Sequence, residues 1–335
     1  MECAKAVEVL KGMNRVTVLH HWDCDGIASA VAILAYGSDL GMEIVFKVPP
    51  IEVYEYTIYR ELGLEGREEL VVVDYAIYPR FRGVVFDHHR VEYRGCATVC
   101  NPVAAHSDEM SYPATTVVLH KYLGIERLDL VALGILGDLG SRALKSKWAS
   151  VVVKGASTAG LSVDEFVHVA RILNSCYASM DVEIVEHARK VLAEQGAKGV
   201  LSDGLLTSVV KDIEEECKAL AQDLVPELKL GKLVVFRMRS KYAIVSKVGR
   251  ALAESNPDKV VVLVGEIVGR DIGRIYVRSA SINLRRILEK VRELGIGKSV
   301  GGKDQVFSVL CKSKDCDPEL KIVLDVISRE LGVSA

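Results

Sequence analysis

The stretch Leu19-His20-His21-Trp22-Asp23-Cys24-Asp25-Gly26 decides how this 335-residue chain is read. Upstream, Arg15-Val16-Thr17-Val18-Leu19-His20 reads as a short apolar strand. Downstream, Ile27 to Tyr36 is an almost unbroken apolar run that reads as a buried helix. The turn between them carries a histidine and two aspartates at alternate positions. It sits at the C-terminal end of a strand, where open α/β sheets bind ligands. In extended chain alternate residues point the same way, so His21, Asp23 and Asp25 converge while Trp22 and Cys24 face elsewhere. Two carboxylates held that close repel unless a cation lies between them or one is protonated. Carboxylate with imidazole suits Mn²⁺ or Mg²⁺ better than a thiolate-seeking metal. A capping turn, with Asp25 as N-cap of the next helix, accounts for the same residues. On this stretch alone the two readings are level.

The pattern then recurs. Met42 to Val48 is a second strand, stopped by Pro49-Pro50, and Glu52 to Leu62 reads as a helix. Leu70-Val71-Val72-Val73-Asp74 is a β-branched run of the kind buried on both faces of a sheet, ending in an acid. Gly83-Val84-Val85-Phe86-Asp87-His88-His89 is another, followed by two histidines. One strand ending in aspartate is ordinarily a cap. Three in succession, two of them carrying histidine, are hard to explain by capping. Leu128 to Gly140 is an apolar helix with one inward-reading acid, Asp138, and such acids are rarely buried without a partner or a metal. His106, in the polar loop after a short edge strand at Thr98, reads as a solvated histidine.

Length favours two domains, and half the residues are apolar, enough for a core in each. No apolar run reaches the length of a membrane span. The N-terminal decapeptide reads as an amphipathic helix rather than a signal peptide. The eight cysteines form no CxxC pair, so a zinc site is disfavoured and reduced cytoplasmic thiols are the expectation, with Cys311 and Cys316 left open as a pair. The net charge of −2 hides an asymmetry. Residues 229–314 hold 19 Lys and Arg against 7 Asp and Glu, an excess of +12, so the remainder carries −14. An acidic body suits metal binding, and a basic C-terminal part suits a polyanion.

Residues 145–200 read as helical and lead, through a charged helix ending at Pro226, to a second alternation of strands and helices. Gly297-Lys298-Ser299 ends like a P-loop, but Arg292 stands where the first glycine belongs and a helix precedes it. No GxGxxG follows an early strand. Nucleoside triphosphate hydrolysis and dinucleotide binding are therefore disfavoured.

Together these motifs resemble the DHH phosphoesterase family. His21-Trp22-Asp23-Cys24-Asp25-Gly26 is similar to its first motif in the H-x-D-x-D-G spelling of RecJ-like nucleases. Asp74 resembles the second, Asp87-His88-His89 the third, and Gly137-Asp138 the fourth. Tyr276-Val277-Arg278-Ser279 through Gly301-Gly302 resembles the family's DHHA1 domain, whose usual GGHxxAAG is here Gly301-Gly302-Lys303 followed by Asp304. The resemblance implies an α/β chain. Its parts would be a mainly parallel DHH sheet with flanking helices over 1–180, a helical connector over 181–228 and a smaller DHHA1-like domain over 229–335. It also implies two Mn²⁺ ions, with Mg²⁺ as a substitute. His21, Asp23 and Asp74 would hold one, and Asp25, Asp74, His88 and Asp138 the other. Asp87 would orient the histidine pair and His89 would face the phosphate. Arg278, Ser279, Gly301, Gly302 and Lys303 would grip the substrate. The implied activity is exonucleolytic hydrolysis of single-stranded RNA or DNA oligonucleotides in the cytoplasm, away from membranes. Hydrolysis of a small phosphate compound, and a replication-associated scaffold role, are the alternatives. A homodimer and a replication or repair partner are left open.

Overall fold

The computed structural model describes residues 2–105 and 107–332, so His106 lies outside the described residues. The chain divides into two compact units. The first comprises Met1–Tyr177 and Asp181–Val210, and the second Ala178–Met180 and Lys211–Ala335.

The first unit is built on five parallel strands, β1 (Arg15–His20), β2 (Glu43–Lys47), β3 (Leu70–Val73), β4 (Val84–Phe86) and β5 (Thr98–Cys100), in the order β2-β1-β3-β4-β5. Every residue of β3 and β4 is buried, as their unbroken apolar spelling requires of strands covered on both faces. Helices α1 (Glu2–Lys11), α2 (Cys24–Asp39), α3 (Ile58–Glu61), α4 (Thr115–Leu123), α5 (Leu128–Leu139), α6 (Ala149–Thr158), α7 (Val163–Ala178) and α8 (Val182–Ser202) belong largely to this unit. The order reverses at β1, and the crevice beyond the C-terminal ends of β1 and β3 is the topological switch point of such a sheet.

Register does the rest. His20 pairs with Val73, Val73 with Phe86, and Phe86 with Cys100. The strands thus end level, and the next residues, His21, Asp74, Asp87 and Asn101, leave the sheet in one row. The ladder carries on past the strand ends, with His21 N–H donating to Val73 O, Asp74 N–H to Phe86 O and Asp87 N–H to Cys100 O.

Two expectations are corrected in this unit. The helix expected over Glu52–Leu62 is only the single turn α3, because Glu52 adopts φ +64° and its carboxylate accepts from Tyr177 Oη, which holds the preceding segment as a loop. The thiols are not all reduced: Cys3 is bonded to Cys100 and Cys311 to Cys316, while Cys24, Cys96, Cys176 and Cys217 stay outside the disulfides. The first of these ties α1 to β5, a pairing 97 residues apart that spacing does not reveal.

In the second unit, β6 (Leu228–Leu230), β7 (Leu233–Ser240), β8 (Val260–Ile267), β9 (Gly273–Ser279), β10 (Ser299–Lys303) and β11 (Val306–Cys311) form a sheet ordered β10-β11-β9-β8-β7-β6. Only β7 and β8 are parallel among its pairs. Helix α9 (Gly204–Asp223) enters this unit, and α10 (Val245–Glu254), α11 (Arg285–Glu293) and α12 (Cys316–Leu331) complete it. Val260, Val262, Ile275, Val277, Phe307 and Val309 face Ile287, Leu288, Val323 and Ile327 in one apolar core. The glycine-rich text before Lys303 is not a phosphate loop but the edge strand β10, turning back through Asp304-Gln305 to β11. No helix among the described residues is long and apolar enough to cross a membrane.

Candidate metal centre

His21, Asp23, Asp25, Asp74, His88, His89 and Asp138 meet at the C-terminal end of the parallel sheet. They form three overlapping sets whose ligand atoms lie within 4.8 Å of one another: His21, Asp23 and Asp74; Asp25, His88 and Asp138; and Asp74, His88 and His89. Asp74 is common to the first and third and His88 to the second and third.

The first motif reaches this geometry differently from its reading as extended chain. Helix α2 already begins at Cys24, with Asp23 as its N-cap, accepting from Gly26 N–H at 3.0 Å. Asp25 therefore projects from the first helical turn, so the cap and the ligand set are both present in one motif. Asp23 caps α2 through Oδ1 and meets His21 Nδ1 through Oδ2 at 2.9 Å. Asp25 is wholly buried and reaches across to the start of α4, where Thr115 N–H (2.6 Å) and Thr116 N–H (3.1 Å) donate to its two oxygens. A helix N-terminus with free N–H groups is a natural seat for a carboxylate. Gly134 of α5 allows this approach, since a Cβ there would stand 2.1 Å from both Asp25 Oδ1 and Thr116 Oγ1.

Asp74 leaves β3 in the left-handed region, φ +56°, a strained conformation of the kind that clusters at functional sites. Its Oδ1 accepts from Thr115 Oγ1 at 2.9 Å. Asp138, near the end of α5, turns inward, its Oδ2 3.1 Å from His88 Nε2. His88 Nε2 is also 3.5 Å from Asp74 and 3.9 Å from Asp25. His88 Nδ1 lies 3.3 Å from Tyr112 O and must be the donor there, which turns Nε2 toward the three carboxylates.

That arrangement tests whether a cation fits. His21 Nδ1, His88 Nε2 and Asp138 Oδ2 are buried and make no well-angled hydrogen bond, although His21 Nδ1 lies 2.9 Å from Asp23 Oδ2 and Asp138 Oδ2 3.1 Å from His88 Nε2. Buried polar atoms are ordinarily satisfied, and divalent cations in the His21 set and in the His88–Asp138 set would satisfy all three between them. Without one, burial and the charges of Asp138 and Asp23 push Asp25 up to about 6. Burial and Asp25, Asp23 and Asp138 push Asp74 well above the usual carboxylate range. His88 is lifted to about 10: burial works against its charge, but Asp138 and Asp25 outweigh it. The metal-free cluster thus draws in protons where a cation would otherwise supply the positive charge. Carboxylates suit Mn²⁺ and Mg²⁺, and the added imidazoles favour a transition ion such as Mn²⁺ over Mg²⁺, so the residues fit a divalent cation.

Asp87 orients one histidine rather than the pair. Its Oδ1 accepts from His89 Nδ1 at 2.8 Å and its Oδ2 from Tyr78 Oη at 2.5 Å, while Asn101 Nδ2 donates to Tyr78 Oη at 2.7 Å and to His89 O at 2.8 Å. Burial lowers the basicity of His89, but Asp87 more than offsets it and raises the imidazole above its ordinary value. His89 is 43 % exposed, and its Nε2 is the atom left for a ligand. Tyr78, Asn101, Tyr112, Thr115 and Thr116 were not legible as site residues. Nor was Asn174 of α7, which accepts from Cys24 N–H and donates to Gly137 O, bridging α2 and α5. Each acts on a partner 9 to 150 residues away, and no local spacing encodes that.

The second unit holds the remaining candidates. Lys303 and Arg278 both stand opposite Val306, on neighbouring strands either side of it, and so share one face of the sheet. Lys303 is exposed, while Arg278 is half-buried with Nη1 3.3 Å from Tyr276 Oη. Gly301 is open, and Gly302 allows β10 onto β11, since a Cβ there would stand 2.4 Å from Val306 O. Ser279 is buried, donating to Lys259 O and accepting from Ile282 N–H, and so holds the turn after β9 instead of facing a ligand.

The folds of the two units match those of solved RecJ and DHH-domain structures. RecJ from Thermus thermophilus in complex with Mn²⁺ is similar over 98 % of this chain, with a TM-score of 0.70 and 18 % identity; the chain spans 55 % of its length. An exonuclease RecJ bound to manganese matches 96 % of this chain and 93 % of its own, with a TM-score of 0.64 and 17 % identity. The DHH domain of a member of a family of ribosomal proteins matches 100 % of this chain and 91 % of its own, with a TM-score of 0.65 and 16 % identity. No protein-family profile and no curated protein matches the chain by sequence. At these identities the likeness is one of fold.

Proposed function

We propose that this protein is a metal-dependent phosphodiesterase of the DHH family that hydrolyses short single-stranded oligonucleotides from an end. The observation that carries the reading is the group of buried atoms His21 Nδ1, His88 Nε2 and Asp138 Oδ2, crowded by carboxylates yet without a well-angled hydrogen bond, gathered about Asp74 with His89 alongside.

His21, Asp23 and Asp74 would hold one divalent ion, and Asp25, Asp74, His88 and Asp138 the other. When bound, such a pair activates a water and stabilises the charge of an in-line phosphoryl displacement. The protein's own groups supply the rest. Thr115 and Thr116 fix the Asp25 carboxylate, and Thr115 Oγ1 fixes Asp74, so neither swings as charge moves at the centre. Asp87 holds His89 through Nδ1, leaving a protonated Nε2–H to donate to a phosphate oxygen or to protonate the leaving oxygen. The basic second unit, through Arg278 and Lys303, suits a phosphate backbone.

Labelled RNA and DNA oligomers of graded length, and 3′-phosphoadenosine-5′-phosphate, incubated with Mn²⁺, Mg²⁺ or Ca²⁺ and resolved by size, test this. The reading expects stepwise shortening of oligomers, faster with Mn²⁺ than with Mg²⁺ and absent with Ca²⁺, whose larger shell misplaces the water. Release of phosphate from the small nucleotide alone moves the small-molecule reading ahead. Metal uptake with hydrolysis of neither substrate moves the scaffold reading ahead.

A further inference from the structure

Beside the metal centre the first unit has an open pocket of about 680 Å³ that takes no part in holding the ligands. Two of its walls grow out of the ligand-bearing loops. Ala76, Ile77 and Tyr78 follow Asp74 by two to four residues, and Val91 to Arg94 follow His89 by two to five. The third wall is Tyr56.

The polar tips of two of its three tyrosines are committed to the protein; Tyr78 is buried and backs the pocket, while Tyr93 and Tyr56 are partly exposed and offer ring surface. Tyr78 Oη is held between Asp87 and Asn101. Tyr93 Oη donates to Pro79 O at 2.7 Å and accepts from Ala97 N–H at 2.8 Å. The Tyr78 and Tyr93 centroids are 5.2 Å apart. Two arginines join them. Arg94 is neutralised by Glu92 at 2.8 Å. Arg80 lies over the Tyr56 ring, 4.9 Å from its centroid, is exposed, and among the described residues has no carboxylate at ion-pair distance. The pocket therefore combines anchored aromatic faces with one uncompensated guanidinium. An inorganic anion does not need the rings, and an apolar ligand does not need Arg80. A nucleotide uses both, since bases stack on aromatic rings and guanidinium planes while the phosphate meets the charge.

We propose that this pocket binds one nucleotide of the single-stranded substrate, next to the nucleotide whose phosphate is cleaved, with its base on Tyr56 and Tyr93 and its phosphate at Arg80. The inference rests on the proposed function and adds a second grip on the substrate, on the catalytic unit itself.

The test is fluorescence anisotropy of a labelled pentanucleotide, as RNA and as DNA, with metal-free protein, alongside steady-state cleavage with Mn²⁺. The proteins are wild type, Tyr56→Leu, Tyr56→Phe and Arg80→Ala, and the ligands include pentanucleotides made abasic at each position in turn. Tyr56→Leu is expected to weaken binding about tenfold and raise KM more than it lowers kcat, while Tyr56→Phe, which keeps the ring, binds as wild type. One abasic position should weaken wild type by a similar factor and cost Tyr56→Leu nothing further. Arg80→Ala should weaken intact and abasic ligands alike. If Tyr56→Leu and Arg80→Ala bind and cleave as wild type does, the pocket inference is overturned and the proposed function stands. If wild type cleaves nothing, the proposed function fails, and the anisotropy alone decides the pocket: tenfold weakening supports it and unchanged binding overturns it.

Discussion

Asp74 is common to two of the three clusters and would be the shared ligand of the proposed ions, so its substitution separates chemistry from fold. Asp74→Ala removes a ligand from both proposed ions and should abolish turnover. The metal-free variant should melt at or above the wild-type temperature, because a buried carboxylate crowded by Asp25, Asp23 and Asp138 is gone. Native turnover in that variant contradicts the shared-ligand geometry. Asp25 gives a second prediction, of opposite sign to the usual acid. Its folded-state value of about 6 lies above the ordinary 3.8, so metal-free folded protein binds the proton more tightly than unfolded chain does. This group's contribution is present below the ordinary value and is lost as pH rises through about 6, roughly 3 kcal/mol in all. Mn²⁺ replaces that proton, so its stabilisation should be small at pH 5 and large at pH 7. Melting curves with and without Mn²⁺ at the two pH values check it, and an equal gain at both contradicts it. At this scale the clustering of these acids and histidines was legible, because such residues after buried strands are costly and stand out. Thr115, Tyr78 and Asn174 were not, since threonine, tyrosine and asparagine in those positions violate no local rule.

Elements bring these residues together by register and close approach. The level ends of β1, β3 and β4 put His21, Asp74 and Asp87 in one row, and the strands themselves were readable from their β-branched runs. The start of α2 was not, because the first turn is polar and the apolar run begins only at Ile27. The alternation argument for His21, Asp23 and Asp25 therefore reached the right convergence by the wrong backbone. The contact of α5 with Asp25 is the tightest of these approaches. Gly134→Ala forces a methyl against Asp25 Oδ1 and Thr116 Oγ1, both fixed by hydrogen bonds, and should cost about 1–3 kcal/mol of stability. It should also weaken Mn²⁺ binding. Thermal melts and metal titration report the two effects, and a variant with native values for both contradicts the account of this contact.

Across the whole molecule the charge is asymmetric, with the clustered acids in the first unit and the basic excess in the second, and on the proposed function this would divide metal holding from substrate holding. Arg278 and Lys303 were legible only through resemblance, and pairing with Val306 puts them on one face. Lys303→Ala should raise KM for an oligonucleotide with a smaller change in kcat, the pattern of lost uniform binding. Arg278→Ala should do so more severely, since its planar fork is not replaced by a lysine. Both effects should shrink as salt rises, because part of backbone binding is counterion release. Steady-state kinetics at two salt concentrations checks this, and a Lys303→Ala enzyme identical to wild type on every oligomer length removes this face from substrate binding. The Cys3–Cys100 disulfide was not legible, because pairing across 97 residues depends on where α1 docks rather than on spacing, whereas Cys311 and Cys316 were near enough in sequence to be left open as a pair.

The central claim is that one aspartate joins two cation sites, and anomalous diffraction at the manganese edge from crystals soaked in Mn²⁺ tests it most directly. Two peaks are expected, one among His21, Asp23 and Asp74 and one among Asp25, Asp74, His88 and Asp138, both lost in Asp74→Ala. Manganese bound only elsewhere, or two peaks that persist in that variant, contradicts it.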